Sequence, residues 1–231
     1  MMKIFLDTET TGLKPNDGDR IVEIAAIAYQ ERTPVEAKDG GEYHQYINPQ
    51  RTMPAEAQQI HGLGDDFLAD KPLFAEVADA FIEFIRGHEL IIHNAAFDRG
   101  FLNAELARLN KPPLEEIAAE ITCSLEWSRK NNQQVNSHSL NALCKHYQIN
   151  LTARADYHSA IVDTRLLGEV YFRMRQQQIE MNMSTAPIAI EARGGAVTVQ
   201  YARTEELAAH DAILSEMEKE HPPLYQKYPT N

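Results

Sequence analysis

The chain opens with a short apolar run that ends in acidic residues. Residues 3–12 read KIFLDTETTG, so the apolar side chains give way to Asp7 and Glu9 just before a glycine. A run of this length that ends in a turn predicts a buried β-strand. Side chains two positions apart on a strand point to the same face. The pattern therefore predicts two adjacent carboxylates at the end of a core strand, although solvated charges at a strand end fit this pair equally well.

Two further strands are predicted close behind the first. Residues 20–30 (RIVEIAAIAYQ) and 43–48 (YHQYIN) are rich in apolar and aromatic side chains, and Pro49 stops the second run. The polar, glycine-containing residues 31–42 between them predict a turn or loop. Strands this close in sequence are expected to form an antiparallel meander.

From Pro72 onwards, short apolar runs alternate with stretches whose apolar residues recur at helical spacing. In chain order, the predicted elements are a helix from Pro72 to Gly87, a strand over 90–93, a helix from Asn94 to Pro112, a strand over 121–125, a helix capped by Ser137 or Ser139 and a helix over 159–176. This alternation predicts an α/β fold, in which helices flank a mixed sheet made of the meander and parallel strands.

The composition of the chain changes near residue 176. We expect residues 1–176 to form one domain, residues 177–195 to form an Ala-, Gly- and Ser-containing linker, and residues 196–231 to form a separate docking segment. This last segment is predicted to contain a strand over 196–202 and a helix capped by Thr204. It is too short to build a stable core alone, so it must dock on its own domain or on another protein.

Two of the predicted helices each carry an acid on the apolar face. Asp98 and Asp163 both stand three and four positions before large apolar residues, near the start of their helices. A helix N-terminus stabilises an anion by about 0.3–1 kcal/mol, whereas burial of an unpaired carboxylate costs several kcal/mol. Each acid therefore needs a partner. A local capping role fits either acid alone, but it does not explain both together with the acids of the first strand.

Four carboxylates that meet at one site would repel each other and hold protons unless cations neutralised them. Carboxylates are the usual protein ligands of Mg²⁺, and two divalent ions about 3.5–4 Å apart can clamp the attacking and leaving oxygens of a phosphoryl displacement. The acids therefore predict phosphodiester hydrolysis. His158 precedes Asp163 by five residues, so we expect it in the loop before the last helix. There a neutral imidazole could take a proton from water, although an ordinary loop histidine is the better interpretation of this residue in isolation.

Three segments together resemble the exonuclease motifs of the DEDDh family. They are DTETTG at 7–12, HNAAFDRGFL at 93–102 and HSAIVD at 158–163, and the resemblance extends over residues 3 to about 176. It implies a ribonuclease H-like fold that degrades nucleic acid from the 3′ end with two Mg²⁺ or Mn²⁺ ions. The implied metal ligands are Asp7, Glu9, Asp98 and Asp163, with His158 as the general base. The implied contacts to the terminal nucleotide are Glu9, Thr10, Leu13, Glu56, His61 and Asp163.

Residues 70–98 and 201–212 are further similar to members of that family that proofread for replicative DNA polymerases. This similarity implies that the substrate is a single-stranded or frayed 3′ end of DNA. It also implies that residues 196–231 bind the alpha subunit of such a polymerase. Gln178–Met183 stands where these proteins carry a peptide that binds the sliding clamp, and Met183 replaces its terminal aromatic residue.

Net charge and cysteine content limit the function classes. A net charge of −12 disfavours tight, non-specific binding to duplex nucleic acid. The two cysteines, Cys123 and Cys144, are expected to be reduced core residues of a cytoplasmic protein without a signal peptide or membrane span. Two other functions remain open at this point: an exoribonuclease that trims RNA, and a non-catalytic module that stabilises a polymerase.

Overall fold

A mixed β-sheet forms the centre of the computed structural model, which describes residues 1–152 and 157–185. The strands are β1 (Lys3–Thr10), β2 (Ile21–Gln30), β3 (Thr33–Pro34), β4 (Glu42–Tyr46), β5 (Glu89–Ile92) and β6 (Glu120–Cys123). The sheet order is β3-β2-β1-β5-β6, with β4 also paired to β2. The predicted strand and helix of residues 196–231 lie outside the described residues.

Strand β1 lies between an antiparallel and a parallel neighbour. It pairs antiparallel with β2, which pairs antiparallel with β4, so the predicted meander is confirmed. On its other side, β1 pairs parallel with β5, and β5 pairs parallel with β6. The short strand β3 lies in the segment predicted to be a loop, where Thr33 and Pro34 pair with the end of β2.

Helices cover the sheet on both faces, as predicted. They are α1 (Ala55–His61), α2 (Asp65–Leu68), α3 (Phe74–Ile85), α4 (Ala95–Arg108), α5 (Leu114–Ile117), α6 (Ser124–Asn131), α7 (Leu140–His146) and α8 (Ala160–Thr185). Alternate side chains of β1 point to opposite faces of the sheet. Ile4 and Leu6 pack in the core that contains α3 and α4, and Phe5 packs in the core that contains α7 and α8. Burial on both faces explains why the first strand is an almost continuous apolar run.

The helices differ from the predictions at several places, and no helix was predicted where α1, α2 and α5 lie. Ser139, rather than Ser137, caps α7, and its Oγ accepts the N–H of Ala142 at 3.3 Å. Helix α6 was not predicted, because its sequence SLEWSRKN has few apolar residues. Helix α8 continues to Thr185 rather than ending near 176, because residues 177–185 contain no glycine or proline and are compatible with a helix. Gln178–Met183 is therefore helical.

Within the part of the chain that the structure describes, no helix combines the length and the hydropathy that are needed to span a membrane.

Candidate active site

The ends of two parallel strands create the site. Leu6 of β1 pairs with Ile92, the last residue of β5, so the chain after Ile92 leaves the sheet beside Asp7, where β1 continues paired with β2. Asn94 then adopts a left-handed conformation (φ 61°), which turns the chain sharply into α4. Asparagine tolerates this backbone region better than most residues. The turn brings Asp98, in the first turn of α4, next to the end of β1.

The four predicted acids and the predicted histidine meet in one cleft. Asp7, Glu9, Asp98, His158 and Asp163 all line a cavity of about 830 Å³. They come from β1, α4, the loop before α8 and the first turn of α8. The sequence motifs that contain them are far apart in the chain, so the fold itself assembles this set.

Three of these side chains are close enough to share one cation. Glu9, His158 and Asp163 can each offer a ligand atom, and these atoms lie within 4.8 Å of one another. Glu9 and Asp163 are buried, with exposed fractions of 9% and 4%. Carboxylate oxygens are the protein ligands that Mg²⁺ and similar divalent ions prefer, so Glu9 and Asp163 can hold a cation beside the His158 imidazole. The residues present therefore fit the divalent metals that this fold class uses.

Asp98 is the most deeply buried of the four acids, with an exposed fraction of 3%. The Thr8 hydroxyl donates a hydrogen bond of 2.7 Å to Asp98 Oδ1. Burial nevertheless raises the pKa of the Asp98 carboxyl to about 7, although the hydrogen bond from Thr8 acts in the opposite direction. A cation in the cleft would stabilise the ionised form of this carboxyl.

A buried salt bridge fixes α4 against the end of the sheet. Arg20, just before β2, contacts Glu105 of α4 through Nε at 2.6 Å and Nη2 at 2.9 Å. The Glu105 side chain is 2% exposed, and Arg108 also approaches it, at 3.1 Å. A two-point contact of this kind fixes orientation as well as distance. Since α4 carries Asp98, this contact helps to position an acid of the cleft.

Glu23 is a buried acid near the site that the sequence analysis did not single out. It lies on β2 directly opposite Glu9 and is 1% exposed. Its carboxylate accepts hydrogen bonds from Ser159 Oγ and the Ala160 N–H, both at 3.1 Å, and contacts His44 Nε2 at 2.7 Å. The signal in the sequence was an acid inside the otherwise apolar run IVEIAAIA.

His158 lies in the loop before α8, as expected. Its backbone N–H donates to the Ile60 carbonyl at 2.9 Å, which ties this loop to α1. Its Nδ1 is 3.9 Å from Asp163 Oδ2, and its side chain is 45% exposed. An imidazole in this position can reach both the carboxylates and the solvent of the cleft.

The four remaining predicted nucleotide contacts do not line the 830 Å³ cleft. His61 is buried at the end of α1, and its Nδ1 accepts the Leu63 N–H at 3.1 Å. Burial lowers the pKa of His61, which favours the neutral ring. Thr10 Oγ1 donates to the Gly12 carbonyl at 2.6 Å, whereas Leu13 and Glu56 are exposed. The role of these four residues in substrate binding stays a prediction.

A mixed sheet with acids from its central strand and from two flanking helices is the architecture of a ribonuclease H-like exonuclease. A family model described as "Exonuclease" matches residues 4–171. The chain is 38% identical to the DNA polymerase III subunit epsilon of Escherichia coli K12 over 94% of this chain and 93% of that protein. It is 37% identical to the protein of the same name from Rickettsia conorii, over 95% and 97%. The chain therefore belongs to the exonuclease family, among the DNA polymerase III epsilon subunits.

Solved structures support the same fold. Exonuclease X in complex with 5′-overhanging duplex DNA matches with a TM-score of 0.59 and 24% identity, over 76% of this chain and 92% of that one. Exonuclease I of E. coli with a dT13 oligonucleotide matches with a TM-score of 0.67 and 17% identity, over 79% and 43%. At these identities the likeness supports the fold alone, and the predicted ribonuclease H-like fold is confirmed.

Proposed function

We propose that this protein is the proofreading subunit of DNA polymerase III and that it removes nucleotides from the 3′ end of DNA. The observation that carries the proposal is the convergence of Asp7, Glu9, Asp98, Asp163 and His158 on one cleft. The similarity to epsilon subunits over nearly the whole chain supports the polymerase context. Mispaired ends are the favoured substrate, because a mismatched terminus costs less free energy to fray into single strand.

The four carboxylates would hold two divalent cations, Mg²⁺ or Mn²⁺, through Asp7, Glu9, Asp98 and Asp163. Bound there, the ions would neutralise the acids and the negative charge of the reacting phosphate. Glu9 and Asp163, each with an oxygen within 4.8 Å of a nitrogen of His158, also contact the terminal nucleotide in this proposal. Their burial keeps their oxygens in fixed positions.

His158 acts as the general base. The neutral imidazole accepts a proton as water attacks the terminal phosphorus, the bond from phosphorus to O3′ breaks, and the departing O3′ takes up a proton. The products are a nucleoside 5′-monophosphate and a strand shortened by one nucleotide. Because its side chain is 45% exposed, His158 can return its proton to solvent after each turnover.

The remaining contacts complete the proposal. Thr10, Leu13, Glu56 and His61 surround the terminal base and sugar. Residues 1–176 form the nuclease domain, 177–195 connect it, and 196–231 bind the polymerase III alpha subunit. Gln178–Met183 is a contact for the sliding clamp. The net charge of −12 suits a subunit whose DNA is held by the polymerase.

The test is degradation of a 5′-labelled single-stranded deoxyoligonucleotide by the purified chain, beside an RNA of the same sequence. We expect stepwise shortening from the 3′ end, loss of activity with a chelator, recovery with Mg²⁺ or Mn²⁺, and no activity in Asp163→Asn. Faster cleavage of the RNA would favour the exoribonuclease alternative, and no cleavage with either metal would favour a non-catalytic module.

The polymerase contact requires a separate test. The full chain and a chain that ends at residue 195 are each mixed with purified alpha subunit and passed over a sizing column. We expect only the full chain to co-elute with the polymerase. Co-elution of both chains would contradict the assignment of residues 196–231.

A further inference from the structure

One wall of the cleft has no role in the chemistry described so far. It is formed by Arg129 of α6 and by polar residues at 136–139, just before α7, including His138. The acids and His158 come from β1, α4 and the region at the start of α8. A cavity of about 830 Å³ lies in the upper part of the range of small-ligand sites, about 300–1,000 Å³. The cleft therefore has room beyond the scissile phosphate.

The charge of this wall is opposite to that of the acids. Among the described residues that line the cleft, Arg129 is the only arginine or lysine, in a chain with a net charge of −12. A strand that enters the cleft brings further phosphates, which the acids repel. A guanidinium can bind a phosphate through two parallel hydrogen bonds, so arginine suits such a contact particularly well.

The imidazole of His138 is held in place by a buried pair. Ser128 of α6 and Asn132, the residue that follows this helix, are both fully buried. Ser128 Oγ accepts a hydrogen bond from Asn132 Nδ2 at 3.3 Å and lies 2.9 Å from His138 Nδ1. When the serine hydroxyl donates to Nδ1, the proton of the neutral ring is on Nε2. Nε2 is then a donor that is available to a phosphate oxygen.

We propose that Arg129 and His138 bind a backbone phosphate upstream of the scissile one. The ligand class is a single-stranded oligonucleotide, and the subsite recognises its phosphate without reading the base. The subsite rests on the proposed nuclease function and deepens it, because it explains how an acidic protein binds the strand next to the terminal nucleotide. The subsite makes the affinity of the protein for a substrate depend on whether that substrate has at least one phosphate upstream of the scissile one.

Lys130 provides a matched control. It is the next residue of α6 and is also exposed, but it lines a different cavity, together with Lys3 and residues of β6. Arg129→Gln and Lys130→Gln remove one positive charge each from the same helix turn. Long-range electrostatics and helix stability change by similar amounts in the two variants, whereas only Arg129 contacts the cleft.

The experiment compares two substrates. One is a single-stranded deoxyoligonucleotide, and the other is thymidine 5′-p-nitrophenyl phosphate, which has a single phosphate and cannot occupy the subsite. For Arg129→Gln we expect KM for the oligonucleotide to rise about tenfold, which corresponds to ~1.4 kcal/mol, while hydrolysis of the small ester stays unchanged. Lys130→Gln should leave both substrates unchanged, and Arg129→Lys should restore part of the affinity.

Salt dependence gives a second readout that a purely structural role would not change. Loss of one phosphate contact to a single strand should reduce the slope of log Kd against log salt concentration by about 0.7. Kd is measured by fluorescence anisotropy in a His158→Gln background, which slows cleavage. An unchanged slope in Arg129→Gln, or equal losses on both substrates, would overturn the subsite. If the unmodified chain hydrolyses neither substrate, the proposed function itself fails, and this outcome is distinct from failure of the subsite.

Discussion

The carboxylate of Glu23, near the start of β2, accepts the backbone N–H of Ala160, the first residue of α8, at 3.1 Å. The same carboxylate contacts His44 on the neighbouring strand β4. Helix α8 carries Asp163, and His158 lies just before it. A buried acid of the sheet therefore fixes the helix start from which two residues of the cleft project.

Glu23→Gln should lower kcat about tenfold while KM for an oligonucleotide changes little. The amide keeps the size of the side chain, but it loses the charge that accepts from Ser159 and the Ala160 N–H, so the start of α8 becomes less well fixed. The measurements are steady-state kinetics and hydrogen exchange of the Ala160 amide, which should speed up.

The control for this variant is Glu42→Gln. Glu42 of β4 also contacts α8, through Arg165 at 2.9 Å, but at the surface of the protein. Exposed ion pairs contribute roughly 0–1 kcal/mol, so kinetics and exchange should stay as in the unmodified protein. Equal effects of the two substitutions would show that Glu23 has no special positioning role.

His158→Ala should reduce kcat by about 10²–10⁴, the usual contribution of a general base. Metal binding, measured by calorimetry, should persist because the four carboxylates remain. His146 of α7 is exposed and is absent from the lining of the cleft, so His146→Ala serves as the matched substitution. If kcat of His158→Ala stayed within a factor of two of that of the unmodified protein, the role of His158 as general base would be contradicted.

Asp98→Asn should stabilise the metal-free protein at pH 8. The pKa of Asp98 is raised from an ordinary value of 3.8 to about 7, so the folded state binds a proton more tightly than the unfolded state does. The contribution of this group to stability is fully present below pH 4 and is lost as the pH rises through 7. In a chelator, Tm of the variant should exceed that of the unmodified protein at pH 8 by several degrees, and the gain should shrink towards pH 5.

Added Mg²⁺ should reverse the order of these two melting temperatures. The ionised Asp98 carboxylate would then have a cation as partner, and the amide would bind that cation less well. A variant that melts below the unmodified protein in chelator at pH 8 would contradict the proton-binding role of Asp98 in the metal-free state.

Glu105→Ala should destabilise the domain by about 2–3 kcal/mol, because it leaves the Arg20 guanidinium without its buried partner. Denaturant unfolding in chelator measures the loss. The double substitution with Arg20→Gln should cost less than the sum of the two single substitutions. Strict additivity would indicate that packing alone accounts for the effect of Glu105.

Local patterns predicted much of the fold. The apolar runs identified β1, β2, β4, β5 and β6 because burial on one or both faces leaves a clear periodicity. The very short β3 leaves none, since Thr33 and Pro34 are exposed and only pair with the end of β2. Helix α6 was missed because few of its side chains are apolar, and the end of α8 was misplaced because polar residues without glycine or proline suit a helix and a linker equally well.

The candidate site was predicted most readily where an acid interrupted an apolar helix face. Asp98 and Asp163 stood out for this reason, and their motifs connected them with Asp7 and Glu9. The partners of Glu23 could not be inferred, because they come from β4 and from the start of α8 and meet only in the folded chain. The sequence pattern also did not identify Arg129 and His138 as residues of the cleft. They lie on an exposed helix face and in a polar loop, and neither kind of segment has a periodic apolar pattern.

The parallel pairing of β1 has a consequence for synthesis on the ribosome. Lys3 of β1 pairs with Glu89 of β5. Strand β1 is synthesised first, but β5 is available for pairing only after more than a third of the chain has been made. Contacts of such large sequence separation form slowly. Until then Asp7 and Glu9 belong to a nascent hairpin whose outer edge is open, and Asp163 can join them in the cleft only after translation has passed the start of α8.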